Sequence, residues 1–128
     1  YALMSLGEAE AAIGKCRRAV SLDPNIFRAY AVWADALTAL DQPEAALGKY
    51  ERAVELEGTI SGYYYQWGQV LSQLGRYAEA GKKYGTALDL ELKKGAYYND
   101  PKISPEVRQR YRDTVAKYEK ALEAAESQ

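Results

Sequence analysis

The chain has 128 residues, 48% of them hydrophobic, enough for one folded domain with a core and too apolar for a disordered segment. Its 17 basic and 18 acidic residues leave a net charge of −1, spread in both signs along the chain, which argues against a nucleic-acid partner. With no histidine and one cysteine, it lacks the commonest general base and metal ligand, an internal disulfide, a Cys-based zinc site and any Ser–His or Cys–His pair, so composition argues against most enzymes and points to no metal or cofactor.

In chain order, the apolar spacing first predicts a fragment of helix near residues 2–6, a turn at Gly7 and a helix near 8–21. After Asp23-Pro24-Asn25 come helices near 25–39 and 43–57, joined across Asp41-Gln42-Pro43, with Pro43 suited to a first helical turn. Glu57-Gly58-Thr59 separates this hairpin from a second, with helices near 60–73 and 77–94 about Gly75. In the second hairpin Tyr64, Trp67, Gly68 and Leu71 define one helical face, and Ala80, Tyr84, Ala87 and Leu88 define another. Ala34 and Gly68 are small enough for the paired helix to approach, with aromatics filling the space beside them. Leu92 stands where a proline would close the unit, so the helix from 77 should outrun its counterparts toward Gly95. Residues 95–103 read as a loop, and Ser104-Pro105-Glu106 reads as N-cap, first-position proline and first-turn acid of a last helix near 105–126.

These elements repeat. Cys16, Tyr50, Tyr84 and Tyr118 stand 34 apart, as do Ala12, Ala46, Ala80 and Thr114; Ala19, Ala53, Ala87 and Ala121; and Val20, Val54, Leu88 and Leu122. Upstream, Tyr30, Trp33, Ala34 and Leu37 recur as Tyr64, Trp67, Gly68 and Leu71. The pattern resembles the tetratricopeptide repeat (W-x2-L-G-x2-Y, A-x3-F, P), well over residues 1–91 and in part beyond, with its most specific stretch at 64–88. Trp33 and Trp67 stand where that family has Leu, and the closing proline is kept once, at Pro24. The resemblance implies an all-α fold, a right-handed superhelical stack of antiparallel helix hairpins with a C-terminal capping helix. One domain, 1–128, would divide into a partial repeat (1–24), two repeats (25–58 and 59–92) and a degenerate repeat with the capping helix (93–128). Val107, Tyr111, Val115, Tyr118 and Leu122 would form the capping face. Tyr1 falls inside the first helix of a hairpin, so the sequence reads as a piece of a longer array with an open N-terminal edge.

Most chemical motifs dissolve on inspection. Cys16 occupies a column that holds Tyr elsewhere, on a buried face, and reads as a small hydrophobe. The glycine-lysine string from Gly75 to Lys83 has one residue too many for a phosphate loop, no Ser or Thr after Lys82 and no preceding strand. Arg108, Arg110 and Arg112 read as part of a solvated face, paired through Glu106 with Arg110 and Asp113 with Lys117. Glu8 and Glu10, or Glu55 and Glu57, diverge on a helix and are unsuited to joint acid–base work. Eight of the 12 tyrosines fall in repeat columns and read as core: Tyr30, Tyr64, Tyr98, Tyr50, Tyr84, Tyr118, Tyr77 and Tyr111.

Tyr65 lies about 100° round the helix from Tyr64, away from the expected packing face, and is the leading candidate for ligand contact. In a stack of hairpins the first helix of each lines a concave groove that binds segments of other proteins, a role tetratricopeptide domains are known for. The groove would hold Arg28, Ala31, Asp35 and Thr38, then Gly62, Tyr65, Gln69 and Ser72 with Gln73 at its margin, and Tyr1, Met4 and Ser5 at the open end. Family members that clamp the C-terminal carboxylate of chaperone tails carry Lys and Asn, then Lys and Arg, where this chain has Ala31 and Asp35, then Gly62 and Gln66; Asp35 would repel that ligand. The expected function is a non-catalytic scaffold for a protein or peptide segment. The alternative is a structural module of a larger assembly that self-associates through its N-terminal edge. No apolar run approaches the ~18 residues of a membrane span, and no leader pattern opens the chain, so no membrane insertion is expected.

Overall fold

A computed structural model describes residues 5–94 and 105–127, without the side chains of 92–94, 107, 108, 110 and 111. The loop expected at 95–103, the Ser104 cap, the groove positions Tyr1 and Met4, Tyr98, and the side chains of Val107, Arg108, Arg110 and Tyr111 lie outside the described residues. The described residues form six α-helices and no strand. Two compact units divide at Gly58/Thr59.

The first unit holds α1 (Leu6–Leu22), α2 (Phe27–Ala39) and α3 (Pro43–Leu56). Its start corrects the sequence reading: Leu6 and Gly7 belong to α1 and Ser5 is its N-cap, so no turn occurs at Gly7. The Ser5 hydroxyl accepts from the Glu8 backbone N–H at 3.2 Å, and Ser5-Leu6-Gly7-Glu8 is the capping-box spacing, a signal the apolar periodicity does not carry. α1 buries Ala9, Ile13 and Cys16 in packing on α2, and α2 packs on α3 over Ala34, Leu37, Ala46, Tyr50 and Ala53. The second unit holds α4 (Ser61–Gln73), α5 (Tyr77–Lys94) and α6 (Pro105–Glu126), with α5 packed on both others. As the lack of a closing proline predicts, α5 has 18 residues against 14 in α3.

The two hairpins are alike to the level of single bonds. In each, the second residue of the turn is left-handed: Asp41 at φ 58° and Gly75 at φ 76°. One residue on, Gln42 N–H donates to Leu37 O at 2.8 Å and Arg76 N–H to Leu71 O at 2.9 Å, the six-to-one bond that closes a helix end. Each also stacks its tyrosine on its tryptophan, Tyr30 on Trp33 at 6.3 Å and Tyr64 on Trp67 at 6.2 Å. The Lys49 ammonium lies 3.7 Å from the Trp33 ring centre and the Lys83 ammonium 3.8 Å from that of Trp67. Each such contact contributes about 0.5–1 kcal/mol at a partly exposed site, and lysine stems cover the ring faces the core leaves open.

Small residues decide how close the helices come. A Cβ on Gly68 would stand 2.8 Å from the Tyr84 ring, so the glycine makes room for the ring itself and not only for the paired backbone. α6 closes on α5 where Gly85 faces the Tyr118 ring and Gly81 faces Ala121 and Leu122. The buried stripe of α6 is therefore Thr114 and Ala121 with Tyr118 half-buried; Leu122, expected in the capping face, stays 42% exposed. Of the eight tyrosines read as core, Tyr50 and Tyr84 are fully buried at 1%, whereas Tyr30, Tyr64, Tyr77 and Tyr118 keep their edges in solvent. Cys16 is buried, and burial pushes its thiol up.

Candidate functional site

In the second unit, α4 and α6 form the walls of a cleft of about 650 Å³, and α5 forms its floor. The α4 wall presents Gln69, Ser72 and Gln73, and the floor is Tyr77 and Tyr84. The α6 wall presents Lys117 and Lys120, then Glu123 and Ser127, with Ala121 and Ala124 between. Spacings of three and four residues put the α6 set on one face, and the small alanines leave the space open.

Tyr84 organises the floor. Its ring fills the space left by Gly68, its hydroxyl shares a hydrogen bond with Ser72, and burial pushes its pKa up against the pull of that bond. Tyr65 leans on it, with ring centres 5.7 Å apart and planes at 52°. This departs from the orientation read from sequence: Tyr65 meets the paired helix α5 and does not turn away from it. Burial raises the Tyr65 pKa, and the Asp113 carboxylate of α6 raises it further. At the other end of the α4–α5 pair, the Ser61 hydroxyl donates to the Glu91 carboxylate.

The α2 residues expected at a groove belong to the first unit and have their own arrangement. Tyr50, the counterpart of Tyr84, donates its hydroxyl to Asp35 at 2.6 Å. Burial holds the Asp35 carboxyl above the usual carboxylate range, with the Tyr50 bond opposing. Thr38 donates to the Ala34 carbonyl at 2.9 Å, Ala31 is buried at 3% exposure, and Arg28 is exposed with its guanidinium 5.7 Å from the Phe27 ring. Gly62 is exposed near the start of α4, with open space around its α-carbon.

Of the nine groove positions on α2 and α4, the structure thus brings Gln69, Ser72 and Gln73 together, with Tyr65 beside them. The α6 wall and the two floor tyrosines escaped the sequence reading, although Lys117, Lys120, Ala121 and Ala124 recur at helical spacing. Asp113 and Lys117 do not form the expected pair: Asp113 accepts from the Gln109 amide at 2.8 Å. Among the described residues no cluster of His, Cys, Asp and Glu could hold a metal ion, and no helix is long and apolar enough to cross a membrane. The site offers amides, hydroxyls, two ammonium groups and the Glu123 carboxylate, which hydrogen-bond and pair with charge.

A 34-residue unit that supplies one antiparallel helix pair, with matching turns and aromatic contacts, defines the class of helical-hairpin repeat proteins. Within that class the fold is of the tetratricopeptide type. It is similar to the Yersinia enterocolitica type III secretion translocator chaperone SycD, with TM-score 0.77 and 19% identity over 94% of this chain and 76% of that one. The same chaperone in complex with a peptide of the translocator YopD matches with TM-score 0.74 and 18% identity, over 90% of this chain and 80% of that one. The TPR2B domain of yeast Sti1, in its pHsp70 complex, matches with TM-score 0.65 and 19% identity, over 86% of this chain and 85% of that one. No protein-family model matches the sequence, and no curated protein matches it.

Proposed function

We propose that the chain is a non-catalytic scaffold that holds a segment of another protein in the cleft between α4 and α6. The observation that carries this reading is the cleft itself: about 650 Å³ lined by amide, hydroxyl, phenol and ammonium groups over a fixed tyrosine floor. A few convergent polar groups in a preformed concavity serve recognition, and no nucleophile stands beside a base there to serve chemistry. The similarity to a chaperone seen with a translocator peptide and to a domain in a pHsp70 complex supports the same use of the fold. Partners captured on the 128-residue chain, mapped with overlapping peptides and titrated, test it. The Gln69→Ala/Gln73→Ala double variant should weaken binding by about 1–3 kcal/mol while melting close to the parent. Unchanged affinity in that variant would move the site elsewhere.

A second reading has its own observation: Leu6, at the N-terminus of α1, is 64% exposed. Self-association through this N-terminal edge predicts a mass that grows with concentration in light scattering and a Leu6→Ser variant that reduces the growth. A constant mass would dismiss it.

A further inference from the structure

Building on the cleft reading, we infer that the cleft selects an extended peptide segment with an acidic side chain and, two residues away on the same face, a basic one. Lys117, Lys120 and Glu123 project from the α6 wall at three-residue intervals, and all three are exposed. The ion pairs among the described residues are Arg52–Glu55 and Arg76–Glu79, so none of the three is neutralised by a neighbour. Asp113, one turn before Lys117, is engaged by Gln109. The opposite wall, Gln69, Ser72 and Gln73, carries no charge. The α6 wall is therefore a positive stretch followed by a negative one, awaiting the complementary pair.

The spacing selects the register. The midpoint of the two lysines lies 4.5 residues before Glu123, about 7 Å along a helix that rises 1.5 Å per residue. Same-face residues of an extended chain are about 6.7 Å apart. The α4 wall selects the conformation. A helical segment spends its backbone N–H and C=O groups on its own bonds and has none to offer the amides of that wall. An extended segment leaves its N–H and C=O groups free for the Gln69 and Gln73 amides.

The test uses decapeptides blocked at both ends, so that no terminal carboxylate contributes, and randomised except for two fixed positions. One pair of pools fixes Glu and Lys two apart in either order, another pool fixes them four apart, and a neutral pool has Gln at both places. On the immobilised chain in low salt, one order of the two-apart spacing should be retained about five- to tenfold over the neutral pool. The preference should fade in 0.5 M salt. The exchanged chain, Lys117→Glu/Lys120→Glu/Glu123→Lys at three exposed positions, should melt like the parent and prefer the opposite order. Equal retention of the two-apart and neutral pools, or the same preference in the exchanged chain, overturns the charge pattern while leaving the cleft as a peptide site. Better retention of the four-apart pool overturns the extended conformation. If no pool is retained, or Gln69→Ala/Gln73→Ala retains every pool as the parent does, both this inference and the cleft reading fall.

Discussion

Replacing Gly68 by Ala sets two known effects against each other. In an exposed helix interior the change stabilises by about 1 kcal/mol, because alanine is the better helix former. Here the added methyl would stand 2.8, 2.9 and 3.1 Å from three Tyr84 ring atoms. That ring is 1% exposed, hydrogen-bonded to Ser72 and backed by Tyr65, so it has little freedom to retreat. Overpacking of this kind costs about 1–3 kcal/mol, and the balance is a net loss of up to about 2 kcal/mol. For a chain of this size that is a fall in Tm of up to about 8 °C. The assay is urea and thermal unfolding followed by tryptophan emission in a Trp33→Phe background, where Trp67 reports on the hairpin that carries the change. The retreating ring would also enter the cleft, so peptide retention should drop with stability. A variant more stable than its parent by about 1 kcal/mol would refute the reasoning, since only an unobstructed glycine behaves that way.

The turns give opposite outcomes for opposite changes: Asp41→Gly should raise stability by about 1 kcal/mol by relieving a left-handed non-glycine residue, and Gly75→Ala should lower it by about 1–2 kcal/mol, both read from chemical melts. Asp35 has a folded pKa above its unfolded value, so the folded chain binds the extra proton and stability falls as pH rises from about 4 through the raised value. Asp35→Asn, which keeps an acceptor for Tyr50, should flatten Tm between pH 4 and 7 and melt no lower at pH 7; a steeper profile in the variant would contradict this. Ending the chain at Lys94 strips α6 from Gly81, Gly85 and the Tyr118 seat, and should lower Tm and abolish cleft binding together, as calorimetry and peptide retention would show.

Where the fold was legible in the sequence, the reason is repetition. Columns at 34-residue spacing place α2 to α5 almost to the residue, because the pattern that buries Tyr50 also buries Tyr84. The start of α1 was misread because the cap that the Ser5 hydroxyl places on the Glu8 backbone N–H is a local polar signal that apolar spacing ignores. One wall of the candidate site was legible: helical phase gives Gln69, Ser72 and Gln73 directly. Tyr65 was misdirected because phase says which way a Cα–Cβ bond points, not where a long ring comes to rest once Gly68 lets Tyr84 in. Lys117 and Lys120 were missed because their meaning depends on which helix stands opposite, and no periodicity within α6 records that.

The closed turns at Asp41 and Gly75 also bear on how quickly this chain finds its structure. Each turn is secured by bonds between residues at most five apart, and the principal helix contacts in both units join helices that are neighbours in the chain. Contacts of such short sequence separation cost little loop entropy to form, which places the chain among sequences that fold in microseconds to milliseconds. Each helix pair can then dock soon after its residues emerge from the ribosome, before the following pair has been made.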